Sequence, residues 1–413
     1  MGKENYVRRA AEESIGLPRK SLQDIKLSGN EIDIISSHFS GSEINSHHLQ
    51  PVVDDVMDSI LGRIMSRSRE LEVPFIMKEK WPNGKRFAAA ITHDADRIEA
   101  PSSHIRKVKD RFSEDVLSQA LTGKLNPYWN VDRMASIERD SNIRSSFYLL
   151  VGEYDLSEKI QKLKHLINNG WEIGLHGAIG TDENSEEMEE QIRLFRKILD
   201  FNPRGIRQHY LKFTPKRTWA VMENLGIFYD STWGYREQPG FKAGTSLPFH
   251  PPSADWETMN IIEVPLILMD TSLWGYMHLT EESGLELIDR LLSETKRRGG
   301  LFTLLWHQEA LLMRGGRLYQ DIIKRISSED CFTGSALMIA EWWKQRIETN
   351  IELNKTDSDW EIRVMGAPSG LHLNLDNGVR RRVKVDGNCR IVSSDNNTTK
   401  LDVSGDCLIR LIS

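Results

Sequence analysis

The chain has 413 residues, 39% of them hydrophobic and 28% charged, which is ordinary usage for a globular protein and unlike that of a disordered, collagenous or membrane-embedded chain. At ~150 residues per domain, this length predicts two or three units. The 54 Lys and Arg against 60 Asp and Glu leave a formal charge of −6, which offers no general electrostatic footprint for nucleic acid or an anionic membrane.

The longest uncharged apolar runs, Val264–Met269 and Gly300–Trp306, fall far short of the ~20 residues that span a bilayer, so no membrane span is expected. The opening MGKENYVRRAAEESIG lacks the apolar core of a secretory signal, and the expected address is the cytoplasm. Cys331, Cys389 and Cys407 show no spacing typical of a disulfide framework or a thiolate zinc site, so reduced core thiols are expected.

Residues 1–80 read as a helical segment. Within it, Val52–Leu71 sets Val53, Met57, Ile60, Leu61 and Ile64 at helical spacing, with acids early and arginines late. From Arg86, RFAAAITHDAD is an apolar run ending in polar residues, the pattern of a buried parallel strand that stops at a functional loop. Further strands are predicted at Ser145–Val151, Trp171–Leu175, Gly205–Gln208, Ile227–Asp230, Ile261–Pro265 and Leu301–Trp306, with helical patterns at Leu156–Asn169 and Ser185–Leu199 between them. This alternation predicts an α/β unit over residues 81–348 with a mostly parallel sheet, open or closed into a barrel. Trp342 and Trp343 would pack a late helix against that barrel. Past Glu348, alternating segments separated by Asn-Gly, Asp-Gly and Ser-Gly pairs predict hairpin turns in a small antiparallel β domain, residues 349–413, packed on the main unit. The basic stretch Val379–Lys384 reads as a solvated strand face.

The chemistry-bearing residues collect where strands end. In Thr92-His93-Asp94-Ala95-Asp96, residues two apart face the same way, so Thr92, Asp94 and Asp96 can point together into a cleft. Two carboxylates that close repel unless a cation or an arginine intervenes, and one can then hold a metal while the other works as a general base. The alternative is a pair of loop acids capping the next segment. His176 ends WEIGLH between glycines, Arg207 and His209 share one face of Gly205–Tyr210, and His307 ends the run Leu304–Trp306. Asp230-Ser231-Thr232-Trp233 is a fifth strand end of the same kind, or an aspartate-led turn. Several strand ends presenting ionisable groups are how an active site is built on the C-terminal face of a β/α barrel.

These five motifs, in their order and approximate spacing, resemble the polysaccharide deacetylase family, also called the NodB-homology group or carbohydrate esterase family four. The resemblance covers roughly Lys85 to Gln345 and looks closest to a branch with a THDxD first motif and a GLHG second motif. It implies a distorted NodB-like (β/α) barrel and a metal-dependent hydrolase that removes an N-acetyl group from a sugar or glycan precursor. Carried over by position, Asp94 looks like the general base and His307 the general acid, with Arg207 orienting and charge-pairing Asp94. Asp96 and His176 look like metal ligands. Tyr210, Trp233 and Asp230 would bind substrate, the aromatic rings walling the sugar groove. The implied cofactor is a divalent metal, zinc first, with cobalt, nickel or manganese as alternatives.

The pattern departs from the family at two points. The family's second motif carries a further histidine four residues on, where this chain has Gly180, so another donor is needed: His209, which shares a face with Arg207, or Asp182. The alanine between Asp94 and Asp96 leaves the base and ligand roles of the two acids open to exchange. Rival functions are deformylation or amide hydrolysis of a small acyl amide, and a non-catalytic carbohydrate-binding protein. No nucleic-acid partner is expected, and a homo-oligomer is left open.

Overall fold

The computed structural model describes residues 2–356, 359–376, 381–395 and 397–412. Its amino-terminal stretch forms helices Lys3–Ile15, Gly29–Phe39 and Val52–Glu70. The second starts at a capping box: Ser28 Oγ accepts from the Glu31 N–H at 3.2 Å, while the Glu31 carboxylate accepts from the Ser28 N–H at 2.7 Å. The stretch is not wholly helical as expected, because Phe75–Lys78 (β1) pairs antiparallel with Leu373–Asp376, three hundred residues along the chain.

The parallel sheet is made of β2 (Phe87–Ala95), β3 (Ser146–Leu149), β4 (Glu172–Gly177), β5 (Gly205–Gln208), β6 (Tyr229–Asp230), β7 (Ile262–Glu263), β8 (Leu268–Met269), β9 (Leu301–Leu305) and β10 (Cys331–Gly334). The strands run in the order β7-β6-β5-β4-β3-β2-β9-β8, all neighbours parallel, with β10 also paired to β2. This is a distorted (β/α) barrel whose helices, Ser185–Leu199 among them, precede the strands they connect. The expected strand Gly205–Gln208 and helix Ser185–Leu199 match residue for residue. The strands expected at Ile227–Asp230 and Ile261–Pro265 shrink to two residues each.

Close approach inside the barrel requires glycine at several positions, Gly174 and Gly205 among them. A Cβ on Gly174 would lie 2.6 Å from the Tyr148 ring, and one on Gly205 would lie 2.0 Å from the Tyr229 ring. Those rings fill the space, and their hydroxyls meet at 2.8 Å, with Tyr229 donating to Glu172 at 2.6 Å.

The carboxy-terminal sheet combines β1 with β11 (Asn350–Lys355), β12 (Trp360–Asp376), β13 (Arg382–Ser394) and β14 (Thr398–Ile412), all antiparallel. The Asp-Gly and Ser-Gly pairs expected to turn the chain do not do so. Gly387 and Gly405 lie inside long strands at φ 85° and 66°, and register shifts fall beside both, so they form bulges. The expected Asn377-Gly378 turn lies outside the described residues, as do Val379 and Arg380 of the basic stretch. Helix Ala336–Glu348 lies between the two sheets, with Trp343 fully buried 5.5 Å from Trp81 and Trp342 donating to the Lys80 carbonyl at 2.9 Å. From the same helix, buried Arg346 donates to the carbonyls of Glu13 and Glu79, both at 2.8 Å, and of Lys78 at 3.3 Å. All three cysteines are free thiols. Among the described residues no helix is long and apolar enough to cross a membrane.

Candidate active site

The C-terminal ends of β2, β4, β5, β8 and β9 converge on a cleft of about 470 Å³ lined by Asp94, Asp96, His176, His209, Asp270, His307 and Glu309 at its floor. Asp96, one residue past β2, is the hub. Its carboxylate lies 3.1 Å from His176 Nε2, 3.5 Å from His209 Nε2 and 3.8 Å from His307 Nε2. Burial would raise the pKa of Asp96, but the bonds to His176 and His209 and the charge of His307 outweigh it and hold the group well below the usual carboxylate range.

His176 is fixed from behind. The Arg207 carbonyl can only accept, so His176 Nδ1 is the donor at 2.8 Å and Nε2 is left facing Asp96. Burial lowers its basicity, and the nearby Asp94 and Asp96 carboxylates more than reverse that. His209 arrives by a different route from the one expected. It does not continue the strand face of Arg207 but follows β5 in a 3₁₀ turn, where Tyr210 and Leu211 take φ of 61° and 51°. Tyr210 stacks on His209 with ring centroids 4.1 Å apart and stands half exposed at the rim.

Asp94 is buried and faces Arg207, with Oδ1 3.5 Å from Nη1, while its Oδ2 lies 3.7 Å from His176 Nε2. Arg207 is held by Ser231, donating from Nε to its carbonyl at 2.8 Å and from Nη2 to its Oγ at 2.9 Å. Asp94 Oδ1 and Arg207 Nη1 make no hydrogen bond within the protein, so the contact between these two buried atoms is ionic only. Across the cleft, His307 Nδ1 donates to Asp270 Oδ1 at 2.6 Å. Burial lowers the His307 pKa, but Asp270 and Asp96 outweigh it and hold the ring well above the ordinary imidazole range. Glu309 is pushed up to about 8 by burial and by the Asp96 charge.

Several expectations are corrected here. Thr92 does not reach the cleft, because its hydroxyl donates to the Leu304 carbonyl at 2.7 Å beneath it. Asp230 is fully buried, bonded to the Thr232 N–H at 3.1 Å and absent from the cleft lining, so it does not meet substrate. Trp233 does not wall the groove: it is 3% exposed and packs against Phe213 and Trp219 in the core. Asp182 belongs neither to Asp96, His176 and His209 nor to Asp94, Asp96 and His307, the two groups able to hold a metal among the described residues. Asp270 and Glu309 are additions. Asp270 carried a readable signal, since Val264–Met269 is an apolar run ending in an ionisable group.

His93, inside the first motif, points away from the cleft. Its Nδ1 donates to the Trp306 carbonyl at 2.7 Å and its Nε2 meets Glu138 at 2.7 Å, with Tyr319, Ser145 and Trp171 also donating to that carboxylate. This buried network ties β2, which carries Asp94, to the end of β9, which leads into His307.

No protein-family model and no curated protein sequence matches the chain. Among solved structures it is similar to a protein of Mycobacterium smegmatis assigned as a polysaccharide deacetylase, at 19% identity over 68% of this chain and 98% of that one, with a TM-score of 0.50. PuuE allantoinase is 16% identical over 64% and 92% of the two chains, with a TM-score of 0.47. A Pseudomonas aeruginosa PAO1 protein assigned as a polysaccharide deacetylase is 17% identical over the same 64% and 92%, with a TM-score of 0.47. The chain therefore has the NodB-like barrel fold of the polysaccharide deacetylases.

Proposed function

We propose that the protein is a metal-dependent hydrolase that removes an N-acetyl group from a sugar or glycan precursor. The observation that carries this reading is that a carboxylate paired with a buried arginine, Asp94, and an imidazole hydrogen-bonded to a buried carboxylate, His307, line one cleft together with a three-donor set.

The donor set fits a divalent cation. One oxygen of Asp96 and one nitrogen each of His176 and His209 lie within 4.8 Å of one another. His176 Nε2 lies 3.1 Å from one Asp96 oxygen and His209 Nε2 3.5 Å from the other, spacings of the order of the ~3.4 Å that separates two donors on a tetrahedral centre with bonds of ~2.1 Å. His209 thus stands in for the histidine absent at Gly180. Two imidazoles and one carboxylate suit zinc, with cobalt, nickel and manganese as alternatives. A cation bound there supplies polarisation of the acyl carbonyl and acidification of a water.

The chain's own residues do the proton handling. Asp94, its charge held by Arg207, takes the proton from the attacking water. His307, kept protonated by Asp270, gives a proton from Nε2 to the departing amine. Asp96 touches both imidazoles of the donor set and Asp94 touches the arginine, which favours Asp96 as ligand and Asp94 as base. Tyr210 offers the sugar an aromatic face at the rim.

The test is Asp94→Asn. Loss of a general base costs ~10²–10⁴-fold in turnover, so acetate release should fall by at least ~10² while metal content stays native, and the melting temperature falls as the buried Arg207 guanidinium loses its counter-charge. Full activity in the variant would remove Asp94 from the role.

A further inference from the structure

The sequence as a whole is acidic, but one rim of the cleft is not. Residues 97–111, RIEAPSSHIRKVKDR, hold five Lys and Arg and two acids in a chain of net charge −6. From that segment Arg97, His104 and Arg111 line the cleft, with Arg236 on the far rim. Arg236 is occupied, its guanidinium 3.1 Å from Glu237. Among the described residues, the guanidinium groups of Arg97 and Arg111 make no ion pair and no hydrogen bond. Glu99 and Glu153, on the adjoining hollow that Arg97 also borders, pair with neither.

The backbone beneath both arginines is nonetheless pinned to the loop that carries His307. Gln308 Nε2 donates to the Arg97 carbonyl at 2.7 Å, the Arg314 N–H donates to the Arg111 carbonyl at 2.8 Å, and Phe112 forms a β-bridge with Met313. Two exposed, unpartnered guanidinium groups therefore rise from anchored backbone at the mouth of the cleft that holds Asp94, Asp96 and His307. Burial and the charges of Arg97, Arg111 and Lys107 lower the His104 pKa, as expected where positive charges converge. The planar guanidinium fork matches an oxyanion, and in bidentate form a phosphate above all.

We infer that Arg97 and Arg111 form an oxyanion subsite, and that the substrate is an N-acylated sugar carrying a phosphoryl group. This rests on the deacetylase reading only for which end of the molecule reacts. Arg97 directly follows Asp96, so the phosphoryl group is held beside the reacting amide and its hydrolysis leaves the phosphate ester intact.

The test compares native protein with the Arg97→Ala/Arg111→Ala double variant, and with Arg97→Gln/Arg111→Gln as a second pair, at equal metal content. Acetate release is measured from N-acetylglucosamine 1-phosphate, N-acetylglucosaminuronic acid and N-acetylglucosamine, and binding of inorganic pyrophosphate is measured by calorimetry. At about tenfold per charge-assisted contact, the double variants should lose ~100-fold in kcat/KM for the phosphorylated sugar relative to the neutral one, and pyrophosphate affinity should fall by a similar factor. Arginine-dependent pyrophosphate binding with no acetate from any sugar would keep the subsite and overturn the deacetylase reading. Acetate released from the neutral sugar at least as well, with pyrophosphate binding unchanged in the variants, would overturn the subsite and keep the deacetylase. Arginine dependence confined to the uronic acid would overturn the phosphoryl assignment.

Discussion

Asp270→Asn isolates what the buried carboxylate does for His307. Asp270 is 1% exposed and accepts from His307 Nδ1 at 2.6 Å, and its oxygens also take the His307 N–H at 3.3 Å. Asparagine keeps the shape and a carbonyl acceptor but removes the charge. A hydrogen bond to a charged partner contributes ~1.5–3 kcal/mol, and at ~1.4 kcal/mol per pH unit its loss lowers the His307 pKa by ~1–2 units. His307 must be protonated to act as the acid, so the alkaline limb of the pH–rate profile should move to lower pH by that amount, while the acid limb, set by another group, stays. A histidine whose folded pKa is raised stabilises the fold below its unfolded pKa, and that stabilisation is lost as pH rises through the folded pKa. The variant should therefore gain less stability on acidification than the native protein. The assays are pH profiles of acetate release and an NMR titration of the His307 ring. An alkaline limb that does not move, with the fold intact, would refute Asp270 as the group that holds this proton.

Other consequences are equally direct. Arg207→Met leaves the buried Asp94 carboxylate without its counter-charge and should lower the unfolding free energy by ~3–5 kcal/mol in urea titrations, with Arg207→Lys recovering part of the loss. Trp233→Ala should destabilise by ~3–5 kcal/mol as a core truncation, whereas Tyr210→Ala, at an exposed rim position, should leave the melting temperature near native and raise KM. The opposite pairing of effects would return Trp233 to the groove. Arg346→Met strips the donors from three backbone carbonyls that join the first helix, β1 and helix Ala336–Glu348, and should cost at least ~3 kcal/mol by urea unfolding.

Much of this site was legible because parallel strands end abruptly. Apolar runs closing on Asp94, His176, Arg207 and His307 could be read without knowing how the strands were ordered, since the C-terminal face of a β/α barrel gathers them in any order. Depth below that face could not be read. Asp230 and Trp233 end a strand just as His307 does, yet Glu263 and the Trp219 side chain close over them. Asp270 follows a strand of only two residues, and its pairing with His307 spans 37 positions. Strand alternation would set His209 on the face of Arg207, but β5 ends at Gln208 and His209 opens a 3₁₀ turn instead. Long-range pairing escaped for the same reason: nothing local to Phe75–Lys78 announces a partner at Leu373–Asp376. Gly387 and Gly405 carry the composition of turns and the function of bulges, and only the neighbouring strand decides between the two.

The central claim is that Asp96, His176 and His209 hold a metal on which hydrolysis of an N-acetyl sugar depends. Elemental analysis of the native protein, paired with acetate release before chelation, after chelation and after metal is restored, tests it most directly. About one divalent ion per chain is expected, with acetate release that disappears with the metal and returns with it, and a His209→Ala variant that has lost both. A protein that binds no divalent metal, or that releases acetate equally well without it, would contradict the account.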